Sequence, residues 1–122
     1  MKLQVSHAGP LNAFTAYGDG YVAVNGERHT ANLIVLPDRV VPWSAVSFDA
    51  LAEADFATLA ALGAEIVLVG TGSRQRFPQP SLTRPLVEAG LGLEVMDLRA
   101  ACRTYNVLVA EHRRVAAALL LS

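Results

Sequence analysis

The stretch Asp97-Leu98-Arg99-Ala100-Ala101-Cys102-Arg103-Thr104-Tyr105-Asn106-Val107-Leu108 reads as one amphipathic helix. Leu98, Ala101, Cys102, Tyr105, Leu108 and Val109 fall at i, i+3, i+4, i+7, i+10 and i+11, a continuous stripe for burial. Asp97, directly in front, supplies a carboxylate for the N-cap. Arg99, Arg103 and Asn106 recur at i, i+4 and i+7 along one border of the stripe, where stems pack and polar heads stay available. Asparagine in mid-helix costs propensity, so Asn106 is expected to hydrogen-bond a neighbouring loop, with the Gly70-Thr71-Gly72 turn as the candidate.

Before this helix the chain alternates strand and helix signals. An apolar strand over 65–69 runs into Gly70-Thr71-Gly72, a short helix capped by Ser81 or Thr83 closes at Gly90, and an extended element follows over 93–96. Residues 114–121 form the last strand, and this succession predicts right-handed crossovers and a parallel core. Upstream, Asp55 reads as the N-cap of a helix buried through Phe56, Leu59 and Ala60 and stopped at Gly63. The first half carries hairpin signals: a turn at Tyr17-Gly18-Asp19-Gly20, a strand Tyr21–Val24, then Asn25-Gly26, where both positions tolerate positive φ. A strand over 32–36 ends at Pro37-Asp38, and Val40-Val41 resumes extended structure. These segments are assigned to a small antiparallel β layer. The expected architecture is a single three-layer α/β domain spanning 1–122, with a central mixed or parallel sheet and flanking helices.

The same residues carry a resemblance. Gly70-Thr71-Gly72, then Glu94, Met96 and Asp97, then Ala101-Cys102-Arg103-Thr104-Tyr105-Asn106, then Arg114 and an alanine-rich last strand resemble a family of small domains of unknown function. That family includes a mitochondrial respiratory complex I assembly factor and the adipogenesis-associated Mth-type domain proteins. Leu98 departs from the pattern, standing where the family usually has threonine. The resemblance covers nearly the whole chain and is specific from about Ile66 onward. It implies the fold and, by analogy, an assembly-factor role; it implies little chemistry.

Composition narrows the classes. A chain of 122 residues is one domain that can bury a core without staples. Ten Lys+Arg against eleven Asp+Glu leave no basic excess for nucleic-acid binding. Nine of the ten cations are arginine, which suits carboxylate and phosphate recognition and also follows from a high-GC coding background. One cysteine excludes an intramolecular disulfide, residues 1–7 do not lead into a signal-peptide core, and no apolar run reaches membrane-spanning length. The expectation is a cytoplasmic, bacterial protein without membrane insertion.

Candidate chemistry concentrates at the carboxyl edge of the expected sheet. Gly70-Thr71-Gly72 follows a strand, as phosphate-binding turns do, yet neither the dinucleotide fingerprint nor a Walker-type loop is completed. The turn requires glycine on conformational grounds alone. Ligands in open α/β sheets bind outside the carboxyl ends of the strands. An anion site there would combine Gly70, Thr71, Gly72, Arg74, Arg76, Arg99, Arg103 and Asn106. Cys102 lies on the apolar stripe and reads as a buried core residue rather than a nucleophile. His7, His29 and His112 lack metal-ligand spacing, so no metal and no cofactor are expected, and no catalytic residue is assigned. Trp43, Phe48 and Tyr105 are anchors, of which Trp43 is expected to reach the surface.

Two functions follow. The first is a non-enzymatic interaction or assembly factor with protein partners in a membrane-associated complex. The second is a small-molecule or anion-binding domain, or an undescribed enzyme, using the glycine turn and the arginine border. Homodimerisation is expected if the alanine-rich last strand lies at a sheet edge.

Overall fold

The computed structural model describes residues 10–122, so the reading of residues 1–7, His7 included, lies outside the described residues. In chain order the elements are strands β1 Phe14–Gly18, β2 Tyr21–Val24, β3 Glu27–His29, β4 Leu33–Leu36 and β5 Arg39–Pro42, then helix α1 Glu53–Ala60 and strand β6 Ile66–Thr71. A 3-10 turn Pro80–Thr83 leads into α2 Arg84–Glu88, followed by β7 Gly92–Met96, α3 Leu98–Ala110 and β8 Val115–Leu120. Strands β1, β2 and β3 make a small antiparallel sheet, and the central sheet has the order β5-β4-β8-β6-β7. Strand β6 runs parallel to both β7 and β8, whereas β4 pairs antiparallel with β8 and β5, so the central sheet is mixed.

The expected three-layer α/β fold is therefore what forms, with one reassignment. Residues 33–42 leave the small layer and extend the central sheet. The reason is burial: Leu33, Ile34, Val35 and Leu36 are buried on both faces, which an outer layer cannot offer. Asn25 (φ 48°) and Gly26 (φ 87°) form the two-residue loop between β2 and β3 that their sequence demands.

One face of the central sheet packs on α1 and α2, through Phe56, Leu59 and Leu86 against Ile34, Val67, Val69 and Ala118. The other face packs on α3 and the small sheet, through Leu98, Ala101, Cys102, Tyr105 and Val109 together with Phe14, Val22 and Val24. Strand β8 lies between β4 and β6 and is buried along its whole length. Its Ala116, Ala117 and Ala118 divide between the two cores, and on the α3 side the small side chain lets the helix pack close to the strand. An interior strand has no free edge, so the condition set for homodimerisation through it is not met.

Three local readings are corrected. Helix α1 starts from Ala52 as N-cap, and Asp55 sits at its third position, accepting the Ala52 N–H at 2.9 Å as half of a capping box. The other Asp55 oxygen accepts the Ser44 hydroxyl at 2.7 Å, tying the preceding loop to the helix. Asp55→Ala is expected to cost about 1–2 kcal/mol, read as a lower urea midpoint with an unchanged m-value. Trp43 is buried rather than exposed: its Nε1–H donates to the Asp55 carbonyl at 3.2 Å and its ring meets Phe56 edge to face at 6.4 Å. The α2 helix starts without a side-chain cap, since the Thr83 hydroxyl donates to Pro80 O instead, and Ser81 is exposed.

Candidate functional site

Helix α3 positions what the sequence singled out. Asp97 Oδ1 accepts the Ala100 N–H at 2.8 Å, the expected N-cap, while the Leu98 N–H donates to Gly72 O at 2.8 Å and joins the helix start to the glycine turn. Tyr105 is fully buried, its ring edge-on to Phe14 at 5.1 Å and its O–H donating to the Asn12 carbonyl at 3.0 Å. Asn106 does not reach the glycine turn. Its Oδ1 accepts the Phe14 N–H at 2.8 Å and its Nδ2 donates to Phe14 O at 2.9 Å, so the amide replaces a neighbouring strand at the edge of β1. Asparagine fits because one side chain must both accept and donate.

The Gly-Thr-Gly turn is shaped by packing. A Cβ on Gly70 would lie 2.8 Å from Leu119 Cδ2 and 3.1 Å from Ala101 Cβ, so glycine lets α3 rest on β6. Gly72 has φ +79°, and its Cβ would meet Ser122 O at 2.7 Å. Thr71 is buried. Its hydroxyl donates to Arg74 O at 2.7 Å, stands 3.3 Å from Met96 O and accepts the Arg76 N–H at 3.0 Å. Arg76 turns inward: Nη2 donates to Thr71 O at 3.0 Å and the guanidinium carbon lies 4.6 Å over the Phe48 ring. This arginine holds the loop, and its stacking against Phe48 was not legible from spacing.

Of the eight residues proposed for an anion site, Gly72 and Arg99 line a common cleft of about 720 Å³. Gly70 and Thr71 are buried beneath it, Arg76 points to Phe48, Asn106 holds β1, and Arg74 and Arg103 are exposed elsewhere. The cleft opens at the carboxyl ends of β6 and β8, between the β1–β2 turn (Tyr17 to Gly20), the glycine turn with Ser73, the start of α3 (Asp97, Leu98, Arg99) and Leu121-Ser122. Sequence reasoning missed Tyr17 and Asp19 as members, because only tertiary packing brings the first hairpin against α3. A second hollow of about 280 Å³ lies at the opposite end of the sheet, lined by Arg39, Leu62, Gly63 and Arg114 among others.

Cys102 is fully buried, and burial pushes its thiol from the ordinary value near 9 up to about 12. Burial likewise raises the Tyr105 phenol, with the Asp38 charge adding to the effect. Both groups bind their protons more tightly in the folded state, so the stability they contribute is complete below about pH 9 and falls as the pH rises above it. Iodoacetamide at pH 8 is expected to modify native Cys102 at least about 100-fold more slowly than the urea-unfolded chain, measured by intact-mass spectrometry. Among the described residues no group of three or more His, Cys, Asp or Glu is placed to hold a metal, and no helix is long and apolar enough to cross a membrane.

A family model described as "Protein of unknown function (DUF498/DUF598)" matches residues 14–120. The chain belongs to this DUF498/DUF598 family. Among curated relatives, the bovine (Bos taurus) NADH dehydrogenase [ubiquinone] 1 alpha subcomplex assembly factor 3 is 36% identical over 107 residues, covering 86% of this chain. The match takes in 58% of that assembly factor, so the chain corresponds to little more than half of the relative's length. A crystal structure of a Bordetella parapertussis protein superposes with a TM-score of 0.86 at 43% identity, covering 93% of this chain and 98% of the other. The solution structure of a Bordetella pertussis protein described as a Mth938-like domain gives 0.77 at 38% identity, covering 98% and 92%. The DUF498/DUF598 match spans β1 through β8, both the small sheet and the central one.

Proposed function

We propose that this chain, as a single Mth-type domain over 1–122, is a non-enzymatic interaction protein that works in the cytoplasm in assembling or maturing a membrane-associated respiratory complex. The observation that carries this reading is the sequence likeness to the NADH dehydrogenase assembly factor over 107 residues of the chain. On this reading the partner binds the arginine border; that Arg99 and Arg103 are exposed one helical turn apart supports it.

Affinity capture of the tagged protein from its host, quantified against an Arg99→Glu/Arg103→Glu variant, tests the reading. Subunits of a membrane-associated respiratory complex are expected with the wild type and at least about tenfold depleted with the variant. Equal recovery from both would remove the partner from this surface, and recovery of no such subunit from either would overturn the assembly reading.

A second reading has its own observation. The 720 Å³ cleft stands at the carboxyl edge of the sheet, where open α/β folds bind ligands, and it falls within the size range of small-molecule sites. On this reading the domain binds a small molecule through Arg99 and the glycine turn.

A further inference from the structure

We propose that the cleft takes a small zwitterionic ligand of di- or tripeptide size, its ammonium group facing Asp19 and Asp97 and its carboxylate facing Arg99. This rests on the second reading above and gives it a ligand class.

Placement is the first argument. Strand β6 continues through the 3-10 turn to α2, which packs on one face of the central sheet, and the adjacent β7 continues into α3 on the other. Connections that leave neighbouring parallel strands for opposite faces open a crevice beyond their carboxyl ends, and such crevices hold ligands in open sheets. Gly72 and Ser73 after β6 and Asp97 after β7 border the cleft at that point.

Charge is the second argument. Asp19, Asp97 and Arg99 line one cleft, yet among the described residues none of the three has an ion-pair partner within 4 Å. Asp97 uses Oδ1 to cap α3 and, among the described residues, makes no hydrogen bond through Oδ2. Charges of both signs that share a cleft without neutralising one another complement a ligand bearing both. A bare polyanion would meet two carboxylates for one guanidinium, and a simple cation would leave Arg99 unused. Arginine's planar fork matches a carboxylate in two-point geometry. Leu98 and Leu121 give the cleft apolar walls suited to an aliphatic side chain between the two charged ends.

The test is an NMR titration of 15N-labelled protein with the tripeptide Ala-Leu-Ala, its N-acetylated form and its C-amidated form. The free tripeptide is expected to shift the amides of Gly20, Gly72 and Ser73 saturably, and each blocked form to bind at least about tenfold more weakly. Arg99→Ala, checked for an unchanged fold by its spectrum, is expected to weaken the free and N-acetylated forms and to leave the C-amidated form unaffected. Blocked forms that bind as tightly as the free tripeptide would overturn the zwitterion class while leaving a small-molecule cleft. Absence of saturable shifts with all three peptides would overturn the peptide-sized zwitterion as the ligand class.

Discussion

Asn106→Leu is expected to lower the unfolding free energy by about 3 kcal/mol, because two buried backbone groups lose their partners at once and each costs about 1–3 kcal/mol when left unpaired. Phe14 is 6% exposed, so water does not readily replace the amide at its N–H and C=O. Urea denaturation gives the magnitude, and amide exchange gives the location: Phe14 and its neighbours in β1 should lose protection while β6 and β8 keep theirs. Asn106→Asp separates the two bonds. It keeps the acceptor for Phe14 N–H and loses the donor to Phe14 O, so about half the loss is expected. Equal stability of Asn106→Leu and the wild type would mean that the small sheet is held by Tyr105 and its apolar contacts alone.

Gly70→Val is expected to cost at least about 3 kcal/mol, since overpacking a well-filled core costs about 1–3 kcal/mol and the site is already below contact distance for a single Cβ. That Cβ would stand 2.8 Å from Leu119 Cδ2, 3.1 Å from Ala101 Cβ and 3.5 Å from Leu98 Cα, so either α3 or β8 must move. Gly70→Ala should cost less, because the Leu119 methyl can swing while the α3 backbone cannot. A double-mutant cycle identifies the clash: Gly70→Ala in a Leu119→Ala background should be nearly free, a favourable coupling of about 1–2 kcal/mol. Additive losses would show that the penalty lies in the strand backbone instead.

Both predictions concern glycine and asparagine positions that the sequence marked and explained incompletely. Gly70-Thr71-Gly72 reads in the sequence first as a tight turn and only second as a phosphate cradle. The distances show why glycine is needed at both ends: Gly70 for the approach of α3 and Gly72 for a left-handed φ beside Ser122. Asn106 is recognisable as a costly mid-helix residue with a hydrogen-bonding task, but its partner lies 92 positions away in the sequence, beyond any local signal. Arg76 shows the same limit. Its neighbours do not reveal that it stacks on Phe48 and braces Thr71, and so leaves the arginine group to which it was assigned.

Periodicity and capping, both local, were enough to place α3, its buried stripe and its Asp97 cap, because a helix writes its burial into a 3.6-residue repeat. The Asn25-Gly26 hairpin was equally legible, since its positive φ angles admit few residues. Strand partnership was not local. Which sheet takes β4 and β5, that β8 runs through the middle, and that Trp43 turns inward onto α1 were decided by how much apolar surface each element could bury against the others. The cleft belongs to the same class. Its Asp19 and Arg99 come from opposite ends of the chain, and only the packing of the first hairpin against α3 makes them neighbours across one opening. Sequence by itself therefore determined the elements and the family, and tertiary structure decided the site, because a site is a meeting of surfaces that separate elements cannot specify alone.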